Sequence, residues 1–448
     1  MVKNMAEGNP LKLIINFTIP LLLGNLFQQT YNMVDAIIVG RYVGAGALAS
    51  VGASSSVQFM VLGFCMGCCA GFAIPVAQQF GAKDYTTMRS YIFHSGILCV
   101  AIAAILTGLC AIFCPQILHL MKTPDEIYSG AYNYFFIIIL GIPFSILYNF
   151  LAGILRAVGD SRTPFIFLVI STVTNILLDL LLIICFKMGC SGAALATISS
   201  QAISGILCLI LINKRFDLLK LQKSDMKFKG KNFVTCITMG VPMGLQYSIT
   251  AIGSMVLQAS NNSLGEVYVS AFAAGSKIKQ FAMCPFDALA TAVSNFCSQN
   301  LGALKFDRIR KGLKTGVIIG IIYGIIVGII TNLFGYSLSM LFVKKSETEV
   351  LVNSALYVAH LGLFFWAIGI LNCCRMTIQG IGYAGVSIFS GVLEMIARIV
   401  VSLVFVPEFH YTAITFADQC AWLVACIYCV PMVIILINRQ ERRLSGTK

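Results

Sequence analysis

Charged residues are scarce in this chain. Only 11% of its 448 residues are Asp, Glu, Lys or Arg, whereas 58% are apolar, and the mean hydropathy is +0.87. A water-soluble domain carries roughly 25% charged residues, because water must cover its surface. The composition therefore excludes an ordinary soluble protein and predicts that lipid surrounds most of the molecule.

Histidine is rare as well, and it does not cluster. The four histidines, His94, His119, His360 and His410, lie far apart and near the ends of apolar runs, where we interpret them as interfacial residues. The 17 cysteines are abundant, but pairs such as those at 65–69 and 426–429 lie in the middle of long apolar runs. Such cysteines are expected to pack between helices rather than to bind metal. With no nucleophile–base constellation either, the sequence predicts neither an enzyme nor a cofactor.

Long apolar runs are what the sequence does contain. A membrane-spanning helix needs about 20 mostly apolar residues. This criterion predicts twelve segments: 11–38, 50–78, 90–114, 130–155, 164–186, 191–213, 233–258, 268–298, 313–337, 352–378, 386–406 and 413–437. Each proline inside a segment removes a backbone donor and is expected to bend the helix. Among these prolines are Pro20, Pro75, Pro143, Pro242 and Pro285.

The basic residues divide unevenly between the loops. With both termini in the cytoplasm, 23 Lys and Arg residues, Arg375 and Lys448 among them, fall on the inside. The outside collects five: Arg41, Lys122, Lys187, Lys344 and Lys345. Because cytoplasmic loops are enriched in Lys and Arg, this ratio predicts a plasma-membrane protein with cytoplasmic termini. We therefore interpret the net charge of +13 as topology and not as nucleic-acid binding.

The second half of the chain repeats the first at a nearly constant offset. Pro20 aligns with Pro242, and residues 78–89 align with residues 299–310. Halves of six helices have the same orientation, so a pseudo-two-fold axis along the membrane normal relates them, as in many transporters. We predict an all-α membrane fold of two six-helix lobes, 1–213 and 233–437. A basic linker at 214–232, which can lie on the anionic inner leaflet, joins them, and a basic tail follows at 438–448.

Four polar residues form a stripe along the first segment. Asn25, Gln28, Asn32 and Asp35 follow one another at helical spacing, which at about 100° per residue places them on one helix face. A carboxylate at membrane depth is costly, so Asp35 is a functional candidate and the stripe is expected to line the interior or a cavity. A stripe that only joins helices is the alternative, and it suits the amides better than the acid.

Segment 5 supplies a second acid. Asn175 and Asp179 are one turn apart and share a face, and Thr197 follows in segment 6. With Asp35 they form an all-oxygen set that suits a hard cation such as Na⁺. The same carboxyl groups, desolvated and close together, could bind a proton instead. The alternative for Asp179 is a helix end at the membrane surface.

The second half differs in its buried charges. The position equivalent to Asp35 is Leu257 or Gln258, and segment 7 has no acid. Glu394 and Arg398, which lie one turn apart in segment 11, are predicted to form an ion pair that is structural or acts as a gate. Acids that are not paired within their own helix are therefore expected mainly in the first half.

The segment count and four motifs together resemble the multidrug and toxic compound extrusion (MATE) family over nearly the whole chain. The motifs are Asn32-Met-Val-Asp35-Ala-Ile-Ile-Val-Gly-Arg41, Gln78-Gln-Phe-Gly-Ala82, Leu155-Arg-Ala-Val-Gly-Asp160 and Gln299-Asn-Leu-Gly-Ala303. The resemblance implies a V-shaped carrier that exports organic cations or other amphipathic compounds in exchange for H⁺ or Na⁺. We expect it to work as a monomer.

The DinF-like branch of that family has a cation site in its first lobe. The site uses an Asp in helix 1, an Asn and an Asp one turn apart in helix 5, and a Thr in helix 6, and this pattern is matched by Asp35, Asn175, Asp179 and Thr197. The NorM-like branch instead uses acids in helices 7 and 10, where this chain has none. The resemblance thus implies ion coupling in the first lobe, with Pro20 as the hinge of helix 1. The side chains that it places at the substrate cavity are Asn25, Gln28, Asn32, Gln246 and Gln258.

Two functions are weighed at this point. The leading one is secondary active efflux of small amphipathic or cationic molecules by alternating access across the bilayer. The alternative, within the same superfamily, is an exporter or flippase of lipid-linked or polysaccharide precursors. Such proteins usually have more helices and a strongly basic cavity, whereas the basic residues counted here at membrane depth are only Lys277, Lys279 and Arg398.

Overall fold

The computed structural model describes residues 3–121 and 123–446, so Lys122 and Lys448 of the charge count lie outside the described residues. The described chain is helical and contains no strand. Its first half forms α1 (Pro10–Tyr42), α2 (Ala45–Ala53), α3 (Ser55–Gly81), α4 (Tyr85–Ile112), α5 (Cys114–Leu120), α6 (Asp125–Leu140), α7 (Ile142–Ala157), α8 (Arg162–Asp179) and α9 (Gly189–Arg215). The second half forms α10 (Gly230–Asn262), α11 (Glu266–Gly302), α12 (Phe306–Ser339), α13 (Thr348–Gly362), α14 (Phe365–Gly380), α15 (Ala384–Val400) and α16 (Val406–Ser445).

Each predicted segment coincides with one helix or with two consecutive helices, which confirms the all-α fold. Three predicted segments each form two consecutive helices instead of one. One of them forms α2 and α3, a second forms α6 and α7, which meet at 43°, and a third forms α13 and α14, which meet at 52°. Pro143 is the second residue of α7, so the α6–α7 bend lies where a proline was expected to cause one. Pro20, Pro75, Pro242 and Pro285 lie inside continuous helices.

Apolarity alone identifies fewer spans than twelve. Seven helical stretches among the described residues are long and apolar enough to cross a membrane, and each of the two bent pairs could add one more. The helices α10 and α11 fall short of this criterion, and Ala384–Leu444 counts as one stretch although it holds two predicted segments.

The two halves share their backbone irregularities. A π-helix, Leu180–Cys185, follows α8, and a second one, Val401–Phe405, follows α15. The offset that aligns residues 78–89 with residues 299–310 also aligns the first residues of these two π-helices. The same offset aligns Gly189 with His410, and both have positive φ, at 57° and 48°. These markers align the halves residue by residue in this region.

The chain packs as two compact units. Unit 1 comprises Leu23–Gly244 together with Lys3 and Asn4, and unit 2 comprises Met5–Leu22 together with the chain from Leu245 onwards. The boundaries of the units thus fall inside α1 and inside α10. The predicted lobes, 1–213 and 233–437, are drawn from the repeat and stay a prediction.

A crossing of glycines packs the beginning of α10 against α3. Gly67 and Gly71 on α3 face Gly240 and Gly244 on α10. A Cβ on Gly71 would lie only 2.5 Å from the carbonyl oxygen of Met239. Because small residues four apart let two membrane helices approach backbone to backbone, this crossing places the start of α10 in unit 1.

The linker between the halves docks on α4 within unit 1. Asp225 is buried and forms an ion pair with Arg89 at 2.7 Å. His94, which was interpreted as interfacial, is instead fully buried, and its Nε2 accepts a hydrogen bond from the Lys229 N–H at 2.8 Å. Asn232 donates to Ser90 Oγ at 3.0 Å. This part of the linker is therefore held in place by side chains of α4.

Candidate functional site

Three helices of unit 1 bring together the acids singled out from the sequence. Asp35 comes from α1, Asn175 and Asp179 come from α8, and Thr197 comes from α9. Asn175 and Asp179 are buried, with 1% and 0% of their surface exposed, whereas Asp35 and Thr197 are half-buried. The alternative that Asp179 lies at the membrane surface does not agree with this burial.

Hydrogen bonds connect the side chains of this cluster. The Asn175 amide, with its nitrogen towards Asp179, donates to Asp179 Oδ2 at 3.0 Å and accepts from the Thr197 N–H at 3.2 Å. The Thr197 hydroxyl lies 3.3 Å from the hydroxyl of Tyr31. The amide oxygen that was expected to face a cation is thus engaged by α9 in this arrangement.

The carboxyl groups of Asp35 and Asp179 lie close enough to interact electrostatically. One oxygen of each, Oδ1, is buried and has no hydrogen-bond partner among the described residues. Two carboxylates this close repel each other unless a proton or a cation lies between them. The pair can therefore hold a single positive charge.

The backbone around Asp179 is irregular. Asp179 is the last residue of α8, and the π-helix Leu180–Cys185 begins directly after it. Single π-turns inside helices are frequent at functional sites. On the apolar side, Ile38 of α1 packs in one buried cluster with Tyr134 of α6, Ile183 of the π-helix and Ala193 of α9.

The rest of the polar stripe on α1 is placed differently from Asp35. Gln28 and Asn32 are exposed, and Asn25 is half-buried with an interaction of its own. Amides exposed at membrane depth are expected to face water rather than lipid.

Unit 2 contains a chain of buried ion pairs. Glu394 pairs with both Arg375 and Arg398, the latter at 3.4 Å, and Arg398 Nε lies 3.0 Å from Asp418 Oδ1. Lys279 Nζ lies 2.7 Å from Asp418 Oδ2. The predicted pair Glu394–Arg398 is thus brought together, but as part of a chain that joins α11, α14, α15 and α16.

The π-helices and the residues with positive φ align Asp418 of unit 2 with Thr197 of unit 1. At the place where unit 1 has a hydroxyl, unit 2 has a carboxylate. That carboxylate is neutralised by Lys279 and Arg398, and the Tyr357 hydroxyl donates to it at 3.2 Å. Basic side chains of unit 2 therefore neutralise the carboxylate at this position.

The glutamines assigned to the substrate cavity have partners inside unit 2. Gln246 is buried, and its Oε1 accepts from Gln379 Nε2 at 2.7 Å and from Ser387 Oγ at 3.1 Å. Gln258 donates to Asn262 on its own helix at 2.7 Å.

The model of the MatE family matches the chain twice, at residues 20–181 and at residues 242–404. The chain belongs to the MatE family.

MatE proteins are transporters and not enzymes, and this one is a multi-pass membrane protein. The two matches begin at Pro20 and at Pro242, the prolines that the repeat aligns, which confirms the repeat expected from the sequence.

Several MatE relatives of this chain have names that refer to multidrug resistance or multidrug export. The chain is 33% identical over 368 residues to the probable multidrug resistance protein YpnP of Bacillus subtilis (strain 168), covering 82% of each chain. It is 22% identical to the multidrug export protein MepA of Staphylococcus haemolyticus (strain JCSC1435), covering 99% of this chain and 96% of that one. An outward-facing multidrug resistance MATE family transporter of the MOP superfamily has the same fold, with a TM-score of 0.92 at 21% identity over 98% of each chain.

Three charged residues of this MatE chain were overlooked or assigned to the wrong place in the interpretation of the sequence. Arg375, counted with the cytoplasmic loops, is buried in α14, and Asp418 in α16 was not considered. Asp287 lies inside α11 with an exposed side chain that accepts from Asn372 at 3.2 Å. The expectation that unpaired acids concentrate in the first half is wrong. A lone acid inside a long apolar run, and the repeat that aligns Asp418 with Thr197, were the available signals.

Proposed function

We propose that the chain is a secondary active antiporter that exports small organic cations and other amphipathic compounds in exchange for H⁺ or Na⁺ by alternating access. It works as a monomer in the plasma membrane, with both termini in the cytoplasm and without a nucleic-acid partner. The observation that carries the proposal is the pair of carboxyl groups, Asp35 and Asp179, which can hold one positive charge between them.

The coupling ion is expected to act through α1. Asp35 is on α1, whereas Asp179, Asn175 and Thr197 are on α8 and α9. An ion between the carboxyl groups draws the helices together, and its departure leaves two anions that repel. We infer that this difference moves α1, with Pro20 as the proposed hinge. The oxygen ligands suit Na⁺ and the adjacent carboxyl groups suit H⁺, so both ions remain in the proposal.

The substrate class is supported by the charges that an incoming molecule would meet. Asp287 is an exposed carboxylate at membrane depth that forms no ion pair among the described residues. In unit 1, the amides of Asn25, Gln28 and Asn32 are the proposed contacts for the polar parts of a substrate. Of the basic residues at membrane depth, Lys279, Arg375 and Arg398 are paired with acids, whereas Lys277 is exposed. Paired basic residues do not favour the alternative of an anionic lipid-linked precursor.

The variant Asp35→Asn tests the proposed function. Loss of one carboxyl group removes the need for a shared charge, so we expect dye efflux from cells to be abolished while the amount of protein in the membrane stays normal. Asp307→Asn, at an acid whose side chain is 91% exposed, serves as the control and is expected to transport normally. Wild-type efflux by Asp35→Asn would show that the ion is not coupled here.

The coupling ion is identified in proteoliposomes. A Na⁺ gradient and a pH gradient are imposed separately across the same vesicles, and efflux of a fluorescent cation is followed. Proton coupling predicts transport with the pH gradient alone, and sodium coupling predicts transport with the Na⁺ gradient alone. Transport that needs neither gradient would contradict antiport.

A further inference from the structure

A crevice of unit 2 lies between the first turns of α12, the middle of α14 and the second half of α16. Its volume is about 310 Å³. The walls are aliphatic and come from all three helices: Leu313, Val317, Ile370, Val433 and Ile437. An apolar cleft of this size in a membrane protein is a place for a hydrocarbon chain rather than for water.

The mouth of the crevice is basic. Arg310 and Lys314, one turn apart on α12, stand at its rim. Arg310 is engaged by Glu441 and by Asn438, the latter at 2.9 Å. Lys314 is exposed and has no acid partner within the described parts of the chain. One positive charge at the rim is therefore available to a ligand.

The side of the crevice is open and apolar. Ile434 and Val430 line it, with 55% and 37% of their surface exposed. In the proposed topology, the turn before α12 lies on the cytoplasmic side, where Arg308 and Lys311 add further positive charge. Phospholipids of the cytoplasmic leaflet are partly anionic and attract basic residues next to a membrane helix.

We propose that this crevice binds one acyl chain of an anionic glycerophospholipid, with the lipid phosphate on Lys314. The aliphatic walls match the acyl chain, the open side admits it from the bilayer, and the free ammonium group matches the phosphate. A cationic efflux substrate does not fit, because the free ammonium group of Lys314 repels it at the rim.

Lipid retention by the purified full-length protein tests the proposal. Delipidated protein in detergent is given phosphatidylglycerol or phosphatidylcholine with the same acyl chains, and the fraction carrying one lipid is measured by native mass spectrometry. We expect phosphatidylglycerol to be retained in preference, and Lys314→Gln to weaken its binding about fivefold. Lys345→Gln, at an exposed lysine far along the sequence, is expected to bind as the wild type does.

A second variant tests the acyl-chain part. Ile370→Phe enlarges a wall side chain, and we expect it to lower retention of phosphatidylglycerol while thermal unfolding shows a folded protein. Inorganic phosphate should not compete, since a phosphate site alone lacks the hydrocarbon contact. Equal retention of both lipids by the wild type, or unchanged retention in both Lys314→Gln and Ile370→Phe, would overturn the proposal.

Discussion

Asp418 neutralises two cations in the interior of unit 2. Its two oxygens are held by Lys279 and Arg398, while Glu394 lies between Arg398 and Arg375. Three basic and two acidic side chains leave this chain with one extra positive charge. Buried ions of this kind are tolerated only when each has a partner.

The charge count predicts unequal effects for the two ends of the Lys279–Asp418 pair. Asp418→Asn leaves Lys279 without a carboxylate partner and Arg398 with only Glu394, so we expect a loss of about 3–5 kcal/mol in the free energy of unfolding. Lys279→Met leaves Asp418 paired with Arg398 and should cost clearly less. Thermal unfolding in detergent measures both. The double variant should be more stable than Asp418→Asn. The charge count is contradicted if Lys279→Met is the least stable of the three variants.

Asp287 is the residue that we expect to recognise cationic substrates. It is exposed near the middle of a 37-residue helix and forms no ion pair among the described residues. A hydrogen-bonded charge contributes about 1.5–3 kcal/mol, so Asp287→Asn should bind a cationic dye roughly tenfold to a hundredfold more weakly and a neutral dye unchanged. Fluorescence titration of the purified protein measures this. Glu266→Gln, at the exposed start of the same helix, is the control, and equal losses in both variants speak against a specific role.

The roles of Asp35 and Asp179 in unit 1 and of Glu394 in unit 2 could be proposed from the sequence, whereas the partners of Asp287 and Asp418 could not. Asp35, Asn175 and Asp179 share the periodicity of their helices with other polar residues, so a pattern marks them. Asp287 and Asp418 are each the only acid of their segment, and their partners lie on other helices. Pairing between helices depends on packing, which a single sequence does not specify.

At the scale of helices, the sequence predicts where a helix lies but not whether the helix is continuous. Runs of about 20 apolar residues identify each segment. The bend between α13 and α14, by 52°, contains no proline, and neither π-helix carries a hydropathy signal. These irregularities are changes in backbone hydrogen bonding, which the mean polarity of a segment does not record.

The crossing of α3 and α10 depends on glycine. A Cβ on Gly71 would lie 2.5 Å from a carbonyl oxygen, so Gly71→Ala must push the two helices apart, and we expect a lower melting temperature. Gly108 in α4 has open space around it, so Gly108→Ala should keep or raise the melting temperature, as alanine favours helix. Thermal unfolding of the purified variants measures the difference. Equal effects at both positions would mean that the crossing is not tight.

At the scale of the whole chain, the docked linker introduces a dependence on pH. Burial by itself raises the pKa of Asp225, but hydrogen bonds from the Arg89 guanidinium and the Gln222 N–H outweigh it and hold the pKa below its usual range. Because the pKa is lower in the folded chain than in the unfolded one, Asp225 stabilises docking at neutral pH. That contribution is lost as the pH falls through the usual range of an aspartate to the lowered value.

Hydrogen exchange of residues 217–229 measures the docking. We expect protection at neutral pH and faster exchange, corrected for the intrinsic rate, once Asp225 is protonated. Arg89→Gln should release the linker already at neutral pH, where its seven basic residues become open to trypsin. Arg162→Gln, at an exposed arginine outside the linker, is the matched control. A linker as protected in Arg89→Gln as in the wild type argues against the ion pair as its anchor.

The paired π-helices have a consequence for the history of the protein. Leu180–Cys185 and Val401–Phe405 have different sequences but occupy the same place in the two halves. An irregularity at the same place in both copies indicates that the ancestral half already had it before the gene was duplicated. The residues that precede it differ, Asp179 in one copy and Val400 in the other, so the irregular backbone is common to both copies whereas the acid is present in one.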